Sequence, residues 1–488
     1  MQIRRLCVLT MGVLVTGCGI WGPSYEKPNI DKPNQWRSKD SLSQMESSAN
    51  LPDTAWWRSF NDPKLNDLIE SALKYNNNIQ AAIGNIIQAE GNLQRVKMGW
   101  VPTLSLFPSY GATGGFSAGS GGGTANPVTT GGGNTGYQVG LIPNYTLNIL
   151  QQLRLQEQAE AQLLAAKYTK DALRLTIISQ VAGSYFTLGE QVYQLDLQKQ
   201  LVVDSGRLYD LAKLQYDNGY ISLLSLQVYL ENYQTAKAQI PIIENNIVAT
   251  QNSLRVLINQ NPGRIVMGSD FIKMPMKGII PANMPSTVLK QRPDIMQAEQ
   301  NLIAANANIG VATSYFFPSL NITGGVGTAT NSFTQLFNAS TDWWSAQIGA
   351  NMPVLNLAQY GVIKGAKGAY YTAYYQYVQT VRQAFAEVDN GLSGHQKLTD
   401  SYNQQLEAYN SSVVAYQLGV ENFKNGYFNE LQELNYKVNM ENLAISLANS
   451  KLNQLQSIVN LYQALAGGYN VNNESNSVPI KFGDAHDA

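Results

Sequence analysis

The chain has 488 residues and a formal net charge of -1 at pH 7, so it exceeds one ordinary core and lacks the basic excess of a nucleic-acid-binding protein. Charged residues make up only 14% of the chain, although its mean hydropathy is -0.19. Uncharged polar residues replace the missing charges, namely Asn, Gln, Ser, Thr and Tyr. This composition suits large water-facing surfaces without a strong electrostatic field.

The first residues predict a lipoprotein signal peptide over residues 1–17. Two arginines precede the apolar stretch Leu6–Val15, which is far shorter than the roughly 20 residues of a membrane-spanning helix. Small residues then lead to Cys18, the predicted site of a covalent N-terminal lipid such as palmitate. Gly19 after this cysteine favours sorting to the outer membrane. An ordinary secretory signal with a chance cysteine is the alternative.

Few residues in the mature chain are suited to catalysis or metal binding. The only cysteines are Cys7 and Cys18, and the only histidines are His395 and His486. The spacing of these histidines is not that of metal ligands, and no Ser/His/Asp arrangement is visible. We therefore expect no enzymatic activity and no metal or cofactor other than the lipid on Cys18.

An internal repeat with a spacing of about 210 residues organises the rest of the chain. Val101-Pro102-Thr103-Leu104 resembles Phe317-Pro318-Ser319-Leu320, and Asn218-Gly219-Tyr220 matches Asn425-Gly426-Tyr427. This length indicates a duplicated domain rather than a solenoid. The predicted parts are a first repeat at 18–260 with a β-hairpin at 103–148, a linker at 261–285, a second repeat at 286–467 with a β-hairpin at 318–356, and a tail at 468–488.

The two hairpins carry the evidence for a membrane. Each predicted strand has about ten residues with alternating apolar and polar side chains, the length and period of a tilted strand that crosses a bilayer. In the first strand Leu104 and Leu106 alternate with Thr103 and Ser105. The Gly-rich stretch 111–136 predicts an exposed loop. A pair of soluble hairpins packed on a core is the alternative.

The absence of proline predicts very long helices. No proline occurs between Asn144 and Ile240, so a helix is expected from Ile149 to about Gln215, rising roughly 100 Å. Helices of this length are typical of coiled-coil assemblies. A kink is expected near Pro241 in the following helix.

Four strands per chain imply an assembly. Four strands cannot close a barrel, and an open sheet edge in lipid leaves unpaired backbone groups. The chain must then associate so that edges of neighbouring sheets pair. Closure with eight, twelve or sixteen strands is compatible with this argument, and the pattern alone does not select the number.

Four motifs carry a family resemblance: Trp56–Leu65, Arg292–Glu299, Ala304–Gly310 and Phe316–Ser319. With them the chain resembles the TolC-like outer-membrane efflux channels, in particular the acylated OprM-like branch. The resemblance implies an α+β membrane protein: a trimeric 12-stranded transmembrane β-barrel, with four strands per chain, continued by a long periplasmic α-helical barrel. It also implies a mixed equatorial domain, to which the linker and the tail would belong.

The same resemblance implies a function and partners. The expected protein is a lipid-anchored homotrimer in the bacterial outer membrane, with helices extending into the periplasm. It would be a passive exit duct for drugs or other small solutes, supplied by an inner-membrane pump and a periplasmic adaptor (membrane fusion) protein. A channel for protein secretion and a lipid-anchored structural coiled-coil protein are the alternatives. Only the membrane-channel hypotheses require four strands with apolar outer faces.

The resemblance also places a periplasmic gate just after the second Asn-Gly turn. Leu431 falls on the leucine that narrows the pore in the family, while Gln432 and Asn435 fall on positions where the family carries aspartate. A threefold ring of Asn is neutral, so these two positions do not supply the cation attraction expected of an aspartate ring. Glu430 and Glu433 are close enough in sequence to supply charge, or are ordinary exposed helix acids. Three further residues are expected to support closure: Tyr216, Ser225 and Phe423.

Overall fold

A computed structural model describes most of the chain: residues 22–31, 47–48, 55–113, 134–276, 280–281, 292–330, 332–336 and 342–466. The predicted signal peptide, Cys18, most of the Gly-rich loop and the tail at 468–488 lie outside these ranges.

Seven α-helices and six strands occur within the described residues. The helices are α1 (Pro63–Tyr75), α2 (Asn77–Lys97), α3 (Ile149–Asp217), α4 (Leu223–Leu257), α5 (Pro293–Ser314), α6 (Leu357–Lys424) and α7 (Glu430–Ala464). The strands are β1 (Ser47–Ser48), β2 (Thr103–Thr113), β3 (Asn134–Leu147), β4 (Ile280–Pro281), β5 (Ser319–Thr330) and β6 (Asp342–Asn351). Short 3-10 helices cover Trp56–Phe60, Met98–Trp100, Phe271–Lys273 and Phe333–Gln335.

The two longest helices occupy matching places in the two repeats. Helix α3 has 69 residues and α6 has 68, so the long helix predicted from the absence of proline is confirmed. Helix α4 continues through Pro241. None of the helices in the described ranges combines the length and the apolar character needed to cross a membrane.

The chain divides into two compact units, and each draws segments from both repeats. One unit comprises Met1–Asn29, Asn85–Ala166 and Gln297–Tyr377; the other comprises Ile30–Gly84, Lys167–Met296 and Val378–Ala488. We call them the sheet unit and the helical unit. The predicted repeat boundaries stay predictions.

The sheet unit holds a four-stranded antiparallel sheet in the order β2-β3-β5-β6. The pairing of β2 with β3 and of β5 with β6 forms the two predicted hairpins. Strands β3 and β5 pair across the repeat boundary, with Tyr145 opposite Ile322. Both repeats therefore contribute to one sheet, in which β2 and β6 are the edges.

The two faces of this sheet differ in polarity, as the alternating pattern predicts. Cross-strand pairs on one face are apolar, among them Leu106 with Leu141 and Val326 with Trp344. Leu106 is 66% exposed and Trp344 80% exposed, so this apolar face is uncovered in a single chain. The other face carries Ser, Thr, Asn, Gln and Gly at most positions. Such a sheet needs an apolar environment on one side only.

The N-terminal segment is attached to the sheet unit by specific contacts. Lys27 Nζ lies 2.5 Å from a carboxylate oxygen of Glu299, and the Tyr25 hydroxyl lies 3.2 Å from the other one. Asn306 donates a hydrogen bond of 2.9 Å to the carbonyl of Pro23. These contacts fix the chain a few residues after Cys18.

The helical unit has an aromatic core that explains the first signature motif. Trp56, Trp57 and Phe60 are buried, and the Trp56 ring stacks on Tyr462 with the ring centroids 4.7 Å apart. Asp62 caps α1 by accepting from the Lys64 amide at 2.8 Å. Burial of each large side chain stabilises the fold by about 1.5–3 kcal/mol.

Buried polar groups tie separate parts of this unit together. The Asp62 carboxylate also accepts from the Tyr185 hydroxyl at 2.7 Å. In the second signature motif the buried Arg292 pairs with Asp294 at 2.6 Å and with Glu387 at 2.7 Å. The same guanidinium donates to the Ala464 carbonyl, at the end of α7. The contacts of Asp62 and Arg292 stabilise the fold, and this accounts for both residues in the motifs.

Candidate functional site

Two helix turns in the helical unit have the same backbone. We call the turn between α3 and α4 the first tip and the turn between α6 and α7 the second tip. Gly219 and Gly426 have φ of 77° and 76°, a conformation that favours glycine. In the first tip the Tyr220 amide donates to the Gln215 carbonyl at 2.8 Å; in the second the Tyr427 amide donates in the equivalent way at 2.9 Å. These glycines close their helices as Schellman motifs.

The helices that leave the two tips begin with equivalent caps. The Ser222 hydroxyl accepts from the Ser225 amide at 3.1 Å. At the second tip the Asn429 side chain accepts from the Gln432 amide at 2.8 Å, and the Gln432 side chain accepts from the Asn429 amide at 3.0 Å. The second tip thus has a full capping box, which satisfies two free amides at the start of α7.

The structure places the predicted gate residues on the first turns of α7. Leu431 is partly buried, whereas Gln432 and Asn435 are exposed. Gln432 belongs to the capping box, and Asn435 donates to the Leu431 carbonyl of its own helix at 2.7 Å. The side-chain amides of Gln432 and Asn435 are therefore neutral and bond to backbone groups of their own helix start.

Glu430 makes an ion pair between α7 and α3. The Arg207 guanidinium donates to both of its carboxylate oxygens, at 2.8 and 3.0 Å. The hydrogen bond from Arg207 lowers the pKa of Glu430. Two parallel bonds fix orientation better than a single contact does, yet both side chains are largely exposed and salt screens the pair.

Glu433 faces α6 instead. Burial, followed by the nearby Glu433 carboxylate, raises the pKa of the Tyr416 hydroxyl. The two acids therefore face different helices, Glu430 towards α3 and Glu433 towards α6. Of the three supporting residues, Ser225 shares the cap of α4, while Tyr216 and Phe423 are exposed beside their glycine turns.

A group of charged residues lies further along the same helices and was not predicted from the sequence. Lys437 Nζ on α7 lies 2.8 Å from Asp204 on α3. Glu441, one turn further along α7, is 3% exposed. Burial, followed by a hydrogen bond with Asp204, raises the pKa of Glu441 to about 8. We call Asp204, Lys437 and Glu441 the carboxylate-lysine cluster.

A regular spacing along α7 could have revealed this cluster. Leu434, Glu441, Ala448 and Leu455 follow one another at intervals of seven, and all are buried. Glu441 thus occupies a seam position where a coiled coil normally carries an apolar residue. Within the described ranges, acidic, histidine and cysteine side chains form no group of three that could hold a metal ion.

Comparison with known proteins identifies the family. The profile of the outer membrane efflux proteins matches residues 68–260 and 284–467. The chain belongs to this family. The match extends over both repeats, and the family is one of transport channels of the outer membrane. The predicted family and outer-membrane location are confirmed.

Relatives match over most of their length. The probable outer membrane lipoprotein SilC of Salmonella typhimurium is 28% identical over 413 residues, which cover 83% of this chain and 85% of SilC. The toluene efflux pump outer membrane protein TtgF of Pseudomonas putida is 26% identical over 483 residues, covering 94% of this chain and 96% of TtgF.

A solved structure confirms the fold. The outer membrane channel CmeC of Campylobacter jejuni superposes with a TM-score of 0.79 at 22% identity, covering 92% of this chain and 95% of CmeC. The chain therefore shares the fold of this structure, including the four-stranded sheet and the long helices.

Proposed function

We propose that three copies of this chain form one channel, in which their sheets close into a twelve-stranded barrel. One observation carries this proposal: the four-stranded sheet has an exposed apolar face and two unpaired edges, β2 and β6. In lipid each unpaired backbone group costs several kcal/mol. Edge pairing between neighbouring copies removes that cost, and three copies match the number implied by the TolC-like resemblance.

The second tip is the proposed periplasmic gate. Leu431 narrows the passage, and the contacts of α7 with α3 hold it in place. Glu430 contributes through Arg207, and Glu433 through Tyr416. Gln432 and Asn435 line a neutral passage. Tyr216, Ser225 and Phe423 support the helix ends on either side.

The channel works passively with two partners, an inner-membrane pump that supplies energy and a periplasmic adaptor. Its cargo is drugs or other small solutes; the toluene efflux relative supports small solutes over proteins. A lipid on Cys18 anchors the mature chain, and the relative described as a lipoprotein supports this. No catalytic step is involved. Intact mass measurement of the mature protein tests the lipid, and an unmodified Cys18 would refute it.

Planar-bilayer recording of the purified protein tests the channel. Native mass measurement should show a trimer, and Leu431→Ser should raise its open probability because the narrowing side chain is lost. Leu224→Ser is the matched control, since Leu224 holds the equivalent position at the first tip and is 76% exposed. Absence of conductance in both variants would contradict the channel, and equal opening by both would contradict the gate.

A further inference from the structure

One row of the sheet departs from the polar character of its face. The cross-strand pairs Phe107 with Gly140, Gly140 with Gly327, and Gly327 with Trp343 place four residues at one level. The row reads aromatic, glycine, glycine, aromatic from edge to edge. Large aromatic side chains on a face that carries Ser, Thr, Asn, Gln and Gly at most positions need an explanation.

The glycines accommodate the Trp343 ring. A Cβ atom at Gly140 would lie 2.9 Å from Trp343 Cζ2, and one at Gly325 would lie 2.7 Å from Cη2. At Gly327 a Cβ would collide with the Val139 carbonyl. A side chain at Gly140 or Gly325 would displace the indole, so the ring lies across β5 and reaches β3 instead of projecting away from the sheet.

This packing leaves part of the indole exposed and its N–H group without a hydrogen-bond partner among the described residues. Trp343 is partly exposed, and Phe107 in the same row is 45% exposed. The buried Nε1 of Trp343 has no hydrogen-bond partner in the described part of the chain, nor has Nε2 of Gln138 on the same face. A tryptophan placed only for packing normally finds an acceptor for its N–H group. Two buried N–H donors on this face, one of them on the indole itself, thus have no partner among the described residues.

We propose that Trp343 and Phe107 form a stacking site for planar aromatic solutes on the polar face of the sheet. This inference rests on the proposed function, in which the polar face lines the interior. Within one chain the indole reaches Gly140, the residue that pairs with Phe107. Because the indole lies along the sheet, it offers a π surface without narrowing the passage. Aromatic stacking changes affinity about three- to tenfold, and such weak binding allows a solute to leave.

Neighbouring tryptophans provide the matched control. Trp344 follows Trp343 directly, but it lies on the apolar face and is 80% exposed. The experiment records trimers of the Leu431→Ser parent in planar bilayers, with phenethylammonium added on the barrel side. Cyclohexylethylammonium is the comparison probe, because it has the same charge and nearly the same size but no π system.

Phenethylammonium should block the parent at concentrations about three- to tenfold lower than cyclohexylethylammonium. Trp343→Leu should abolish this difference, Trp343→Phe should retain part of it, and Trp344→Leu should leave it unchanged. If Trp343→Leu does not form trimers, Phe107→Leu replaces it and should reduce the difference. Equal block of the parent by both amines overturns the stacking site but leaves the channel intact. Absence of conductance in the parent overturns the proposed channel itself.

Discussion

The two tips share their backbone and differ in their charges. Both turn at a glycine with positive φ, and both start the next helix with a side-chain cap. At the position of Glu430, however, the first tip has Leu223, and at that of Lys437 it has Leu230. Among the described residues, α7 is joined to α3 by ion pairs, whereas no ion pair joins α4 to α3. The duplication kept the turn geometry, which depends on a few local residues, while the side chains that join helices diverged.

The largest effect is expected from Lys437→Met. Without the ammonium group the Asp204 carboxylate remains beside Glu441 with no neutralising partner. Loss of a hydrogen bond to a charged group should weaken the contact between α3 and α7 by about 2 kcal/mol. A lower melting temperature of the trimer and a higher open probability would show this.

The first tip supplies the control for that change. Leu230→Met conserves volume and should change neither property. Glu441→Gln in the Lys437→Met background should restore part of the stability, because it removes one of the two adjacent carboxyl groups. Equal effects of Lys437→Met and Leu230→Met would contradict a special role of the second tip.

The next effect concerns pH. The folded pKa of Glu441 is raised from 4.5 to about 8, so the packed arrangement favours the protonated form. The associated stability is fully present below pH 4.5 and is lost as the pH rises through about 8. Open probability should therefore increase between pH 5 and pH 8, by at most about tenfold per pH unit for each site.

Two controls separate the effect of Glu441 on the pH dependence from that of Glu430, an acid of the proposed gate. Glu441→Gln should remove the dependence on pH in this range. The pKa of Glu430 is lowered, so its ion pair is lost only as the pH falls below the ordinary carboxyl range. An unchanged pH profile in Glu441→Gln would show that another group is responsible.

A smaller effect is expected from Asn435→Asp. A threefold ring of carboxylates at the proposed gate should raise the preference for cations by about a few-fold. The reversal potential in a salt gradient measures this preference. Val228→Asp places the same charge at the matching position of the first tip and should shift the potential less. A larger shift from Val228→Asp would move the selective region to the first tip.

The smallest effect is expected from Arg207→Ala. The pair with Glu430 is exposed, and exposed ion pairs contribute little. Open probability should rise about twofold at low salt and should not change at 1 M salt, where screening is nearly complete. Leu223→Ala, at the position that matches Glu430, should show no dependence on salt. An effect of Arg207→Ala that persists at 1 M salt would point to lost packing instead of lost charge.

Local sequence patterns predicted the helices, strands and turns of this protein. They did not predict the contacts between residues that are far apart in the sequence. The length of α3 followed from the absence of proline, the strands from alternation, and both tips from Asn-Gly. Arg207 and Glu430 are 223 residues apart, and Asp204 and Lys437 are 233 apart. Their pairing depends on the rotation of two packed helices, which a one-dimensional pattern does not fix. Trp343 was likewise missed, because the glycines that receive it lie on other strands.

The pairing of β3 with β5 has a consequence for how the assembly arose. In a chain with a single repeat, the equivalent of this seam would have to form between two separate molecules. Here both strands belong to one polypeptide, so their pairing is intramolecular and loses no translational entropy of association. In the proposed trimer, the duplication therefore halves the number of molecules that must associate, and only the β2 and β6 edges remain to be paired between chains.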